Sequence, residues 1–118
     1  MDKKEKIRQY KETPTPAGVY RIYNIVNGKS FIGASPNIPG KLNGQKFQLE
    51  LGSHPDKELQ KEWKEFGAEA FRLETLDTLE PNKEPGYNPA EDLKILKLMW
   101  IEKLTAAGEP LYKWSLQG

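Results

Sequence analysis

The sequence predicts an α+β fold, a small α/β sandwich in which a three-stranded mixed or antiparallel sheet is flanked by helices. Three features carry that prediction. Two runs rich in β-branched and aromatic residues, Val19 to Val26 and Lys29 to Ala34, flank an Asn27-Gly28 turn. A third run, Phe71 to Leu79, alternates Phe71, Leu73 and Thr75 as a half-buried strand does. Helical patterns fill the intervals, so the order reads β-β-α-α-β-α.

Taken in order, a short charged helix is expected from about Lys3 to Lys11, ended by Thr13-Pro14-Thr15-Pro16 because proline removes a donor and disfavours helix before it. In the hairpin, period-2 alternation puts Tyr20 and Ile22 on one face of the first strand, and Phe31, Gly33 and Ser35 on one face of the second. Asn37 to Leu51 predicts a frayed helix: Leu42 and Leu49 share a face, but Gly40 and Gly44 weaken it. Ser53 predicts the cap of a clearer helix, with Asp56 at capping-box spacing. That helix has a Leu59, Trp63, Phe66 stripe and ends at Gly67. "EPNKEPGYNP" reads as a surface loop. Asn88-Pro89 opens the last helix, which runs to about Ala107 and stops at Gly108, and the tail keeps enough apolar residues to dock.

The 118 residues suit one domain, 17–118, preceded by the charged helix and proline-rich connector, 1–16. There is no cysteine, which excludes disulfides, thiolate zinc sites and cysteine nucleophiles, and fits a reducing cytoplasm. His54 is the only histidine, so a zinc cluster is excluded too, and beside Ser53 and Pro55 it reads as a capping or packing residue. No apolar run approaches the roughly 20 residues that span a bilayer, and no membrane partner is expected. The net charge of +1 provides no strong overall field for nucleic acid, so binding would need a local patch.

The last helix carries an anomaly. At 100° per residue, Leu93, Leu96, Trp100, Ile101 and Leu104 fall within a sector of roughly 140°, and Lys97 projects from its middle. A lysine there either snorkels its ammonium out or faces a polar cavity.

Gly18-Val19-Tyr20, Asn27-Gly28-Lys29, Phe31-Ile32-Gly33 and Ser35-Pro36-Asn37-Ile38, followed by "SHPDKELQKEWKEFGAEAFRLETLD" and "LMWIEKL", resemble in series the GIY-YIG nuclease superfamily, in particular a small free-standing bacterial branch. The resemblance implies metal-assisted hydrolysis of phosphodiesters. Its first tyrosine helps to activate water, its second tyrosine and an arginine stabilise phosphate, and a glutamate on the last helix holds a divalent cation. Tyr20 matches the first tyrosine. Phe31 stands at the second, without the hydroxyl; Lys41 stands at the arginine position and lacks the planar fork. Gln45 takes the place of a frequent histidine, Lys97 that of the glutamate, and Lys113, after Tyr112, that of an asparagine.

The exchange at Lys97 weighs most. Two unit charges 4 Å apart at an effective dielectric of about 20 interact by roughly 4 kcal/mol, and a divalent ion would feel about twice that as repulsion. The reading that follows is a catalytically degenerate domain with no expected cofactor, a monomer by default. DNA or RNA would be held by Lys29, Lys41, Lys97 and Lys113, with Ser35, Asn37 and Gln45 lining the cleft and Tyr20 and Phe31 available for stacking. Two alternatives stand beside it. One is an active Mg²⁺- or Mn²⁺-dependent nuclease using Glu50, Glu69, Glu74 or Glu102. The other is a protein-interaction domain with an apolar patch near Trp114 and Leu116.

Overall fold

A computed structural model describes residues 16–80 and 85–116. The expected helix from Lys3 to Lys11, most of the proline-rich connector and part of the "EPNKEPGYNP" loop lie outside these residues.

Strand β1 (Gly18–Asn24) runs between β2 (Ser30–Ser35) and β3 (Phe71–Thr78), antiparallel to both. Tyr20 faces Gly33 on β2 and Thr75 on β3. Val19 pairs with Asp77 and Tyr20 with Thr75, so Leu76 is an extra residue that bulges β3. Helices α1 (Ile38–Leu51) and α2 (Lys57–Phe66) cover one face of this sheet, and α3 (Ala90–Ala106) covers the other. On the first face Tyr20, Ile22 and Phe31 pack with Ile38, Leu49, Leu59 and Trp63. On the second, Val19 and Ile32 pack with Ile101 and Leu104. Alternation along the strands divides the two cores, and burying each such aliphatic side chain contributes roughly 1.5–3 kcal/mol.

Three local expectations change. The two-residue turn becomes a longer connection, residues 25–29, in which only Gly28 has a positive φ, +76°. Asn24 is the reason. It is fully buried, its Oδ1 accepts from the Val26 N–H at 2.9 Å, and its Nδ2 donates to the Tyr112 hydroxyl at 3.2 Å. A side chain that binds local backbone in this way competes with the strand ladder. Second, α1 is complete rather than frayed. Asn37 caps it by accepting from the Gly40 N–H at 3.0 Å, and a Cβ on Gly40 would come within 2.6 Å of the Asn37 amide nitrogen, so glycine leaves room for the cap. Third, α2 starts after Asp56, whose Oδ1 accepts from the Leu59 N–H at 3.0 Å, and not at Ser53. Gly67 ends it with φ +85°, as the stripe predicts.

Asn88 accepts from the Ala90 N–H at 2.9 Å at the start of α3, and Gly108 follows the helix with φ +77°. The tail then docks along the outer edge of β2. Leu111 bridges Ser30 in parallel, the Tyr112 N–H donates to the Ser30 carbonyl at 2.9 Å, and the Ile32 N–H donates to Ser115 Oγ at 2.8 Å. A short 3₁₀ turn, Lys113–Leu116, completes it.

Candidate functional site

The residues singled out in the sequence fall on both faces of the sheet. On the α1/α2 face, Tyr20 lies over Gly33, where a Cβ would come within 2.3 Å of its ring and hydroxyl; burial pushes its pKa up to about 12. Phe31 stacks beside it, with ring centroids 6.5 Å apart, and meets His54 edge-on at 5.4 Å. With Tyr20 and Phe31 only 2% and 7% exposed, neither ring offers an open face for a base to stack on.

His54 is fully buried, and both ring nitrogens are engaged. Nδ1 accepts from the Asp56 N–H at 3.0 Å, which leaves Nε2 to donate to Gln45 Oε1. Burial lowers its pKa despite nearby Asp56, and the charge of Lys41 acts in the same direction as burial. The role is structural: His54 ties the middle of α1 to the start of α2. Gln45 is consumed by this contact. Lys41 is exposed on α1.

Ser35 and Asn37 shape the entry to α1. Ser35 Oγ accepts from the Asn37 N–H at 3.0 Å and donates to the Asn37 carbonyl at 3.0 Å, while the Asn37 side chain is the cap. Lys29 lies between two carboxylates, 3.1 Å from Glu58 and 3.6 Å from Glu62, and 5.6 Å from the centre of the Tyr112 ring. The hydrogen bond to Glu58 raises its pKa. Lys113 is exposed in the final 3₁₀ turn.

Lys97 lies on the other side. It is half-buried and lines a hollow of about 460 Å³ between α3, the end of β2 and the tail. Ala34 and Pro36 come from the β2 end, Ser115 from the tail, and Asn88, Glu91, Leu93 and Lys94 from the start of α3. Desolvation lowers the Lys97 pKa. Thus Lys97 shares this hollow with neither Tyr20 nor Lys41. Lys94 stands one helical turn before Lys97, a spacing legible in the sequence. Ser115 and Glu91 carry no such signal, because their placement depends on tail docking and on the entry to α3.

The fit of this region to a divalent cation is poor. Among the described residues no group of three or more His, Asp or Glu side chains is placed to hold a metal, and the hollow presents two lysines against one carboxylate, Glu91. The carboxylates suggested by the sequence are elsewhere. Glu74 is bound by Arg21 through Nε at 2.8 Å and through Nη2, Glu50 pairs with Lys46 at 4.0 Å, and Glu69 and Glu102 are exposed.

No family profile and no curated protein matches this chain. Two solved structures do. One is the catalytic domain of the homing endonuclease I-TevI, at 23% identity and a TM-score of 0.63, covering 81% of this chain and 95% of that one. The other is a mutant of the catalytic domain of the intron endonuclease I-TevI, at 21% identity and a TM-score of 0.62, covering 81% and 91%. At such identity the likeness is one of architecture. Sheet order, paired helices on one face and a single helix on the other are those of the GIY-YIG fold, and this chain has that fold.

Proposed function

We propose that this chain is a nucleic-acid-binding domain of GIY-YIG fold that does not hydrolyse phosphodiesters, and that Lys97 supplies the positive charge that meets phosphate. The observation that carries this reading is the placement of Lys97, half-buried against an open hollow on the helix where the resemblance puts a metal-holding glutamate. A partly desolvated ammonium attracts an anion more strongly than a fully solvated one, and it repels the cation that the nuclease reaction needs. Two further observations support it. Phe31 keeps the ring of the second tyrosine position and lacks the hydroxyl, and Gln45 is held by His54. No divalent cation takes part in binding on this reading, and a cysteine-free chain suits a reducing cytoplasm.

The test pairs two assays. Fluorescence anisotropy with short DNA and RNA at low salt is expected to give dissociation constants below about 100 μM that weaken steeply as salt is added. Plasmid nicking with Mg²⁺ or Mn²⁺ is expected to show nothing. Reproducible cutting that Tyr20→Phe abolishes would restore the nuclease reading. Neither binding nor cutting would favour an interaction domain instead. That second reading has its own observation, the exposed apolar side chains Ile95, Leu98 and Met99 on α3, at 53%, 55% and 59% exposure, of which Leu98 also lines the hollow. Light scattering at increasing concentration would then show self-association.

A further inference from the structure

We infer that the hollow beside Lys97 takes one nucleotide carrying a phosphomonoester, free or at the end of a strand, and not the continuous backbone of a strand; this rests on the proposed phosphate-binding role of Lys97. Size is the first reason. About 460 Å³ falls within the range of small-molecule sites, roughly 300–1,000 Å³, and leaves room for one unit of a polymer. A closed side is the second. The tail lies along the outer edge of β2, held by the Leu111 bridge to Ser30 and by Ser115 on the Ile32 N–H, so a strand has no path along that edge. Ser115 is itself a wall of the hollow.

The lining is the third. Proteins that track a single strand stack successive bases on aromatic rings, and among the described residues no aromatic side chain lines this hollow. Tyr20 and Phe31, the rings that the sequence offers for stacking, are buried on the opposite face. What the hollow presents is an apolar lining, Ala34, Pro36 and Leu93, with two amines, Lys97 and Lys94, and one carboxylate, Glu91. Such a lining accepts one base or sugar while the amines meet phosphate. A phosphomonoester carries about −1.5 to −2 charges at neutral pH, against −1 for a backbone diester, so a terminal phosphate gains more from the same two lysines. The lowered pKa of Lys97 points the same way, because a bound dianion restores the charge that burial disfavours.

The experiment compares 5′-phosphorylated and 5′-hydroxyl versions of one short single-stranded DNA, labelled at the 3′ end, by fluorescence anisotropy at low salt. Unlabelled nucleoside monophosphate is added as competitor. The phosphorylated strand is expected to bind at least about tenfold more tightly. Lys97→Met, which removes the charge, and Ala34→Leu, which fills the hollow without touching a charge, are each expected to abolish that preference. Competition by the monophosphate assigns a free nucleotide as ligand; a preference that the monophosphate does not displace assigns the strand end. Equal binding of the two strands, weakened by Lys97→Met, overturns the inference and leaves the proposed function standing. A preference that survives both substitutions places the end-binding site elsewhere and also overturns it. No binding of any probe removes both.

Discussion

The two faces of the sheet hold polar side chains under opposite conditions. Against α1 and α2, His54, Gln45 and Asp56 are buried and satisfy one another: the ring nitrogens, the amide oxygen and the helix-capping carboxylate all have partners. Against α3, Lys97 keeps contact with solvent at the rim of a hollow, and desolvation works against its charge. A polar group sealed among matched partners belongs to the scaffold. One that lines a hollow and keeps contact with solvent can be reached by a ligand. On this comparison, Tyr20, Phe31 and Gln45 on the first face serve the fold, and the second face is the one that the proposed function uses.

The largest effect expected is on the sealed face. His54→Ala leaves the Asp56 N–H and Gln45 Oε1 without partners and opens a cavity beside Phe31, which together should cost about 3 kcal/mol in urea unfolding. A cost under about 1 kcal/mol would mean that this face is not sealed. The same histidine gives an acid limb. Its folded pKa is lowered, so the unfolded chain takes up the proton first, and stability should decline as pH falls below the ordinary histidine value of 6.5. His54→Gln should flatten that limb.

Tyr20 gives the alkaline counterpart. Its pKa is about 12 in the fold against 10.0 in its absence, so its contribution is complete below pH 10 and is lost as pH rises toward 12. The rise from 10.0 to about 12 corresponds to roughly 2–3 kcal/mol, read as the difference in unfolding free energy by urea between about pH 9 and pH 12. Tyr112, whose pKa burial also raises, adds in the same direction, so Tyr20→Phe should reduce the decline without abolishing it. Gly33→Ala probes the same contact sterically. A methyl group 2.3 Å from the Tyr20 ring forces the ring to move, at a cost of about 1–3 kcal/mol, and Tyr20→Leu in the same chain should recover part of it.

These contacts also show where the sequence is legible. Periodicity of two separated Tyr20 and Phe31 from Val19 and Ile32, and the helical period placed Lys97 among Leu93, Trp100 and Leu104, so the order of elements and the anomaly on α3 could be read directly. Cap identity could not. Ser53 and Asp56 both suit an N-cap, and the choice between them is made by His54, whose burial ties up the segment before α2. The turn at Asn27-Gly28 was misleading for the same reason, since the partner of Asn24 is Tyr112, 88 residues away. The convergence expected of Tyr20, Lys41 and Lys97 was the least legible feature. A linear pattern gives the face of each element but not which faces share one opening.

The smallest expected effect is the one that separates the faces most sharply. Lys97→Met replaces a partly desolvated charge in the middle of an apolar sector with a side chain of similar length. It should therefore raise stability at pH 7, by up to about 1 kcal/mol because solvent still screens the amine. The sign has a pH signature. Burial lowers the Lys97 pKa below 10.5, so the unmodified fold sheds the proton more readily than the unfolded chain and recovers stability as pH rises. The advantage of methionine should then shrink toward alkaline pH in thermal unfolding. A variant that is both more stable and unable to bind phosphate is what a ligand-facing lysine produces. If Lys97→Met instead destabilises the chain at pH 7, desolvation is not what governs the amine, and the contrast between the two faces disappears.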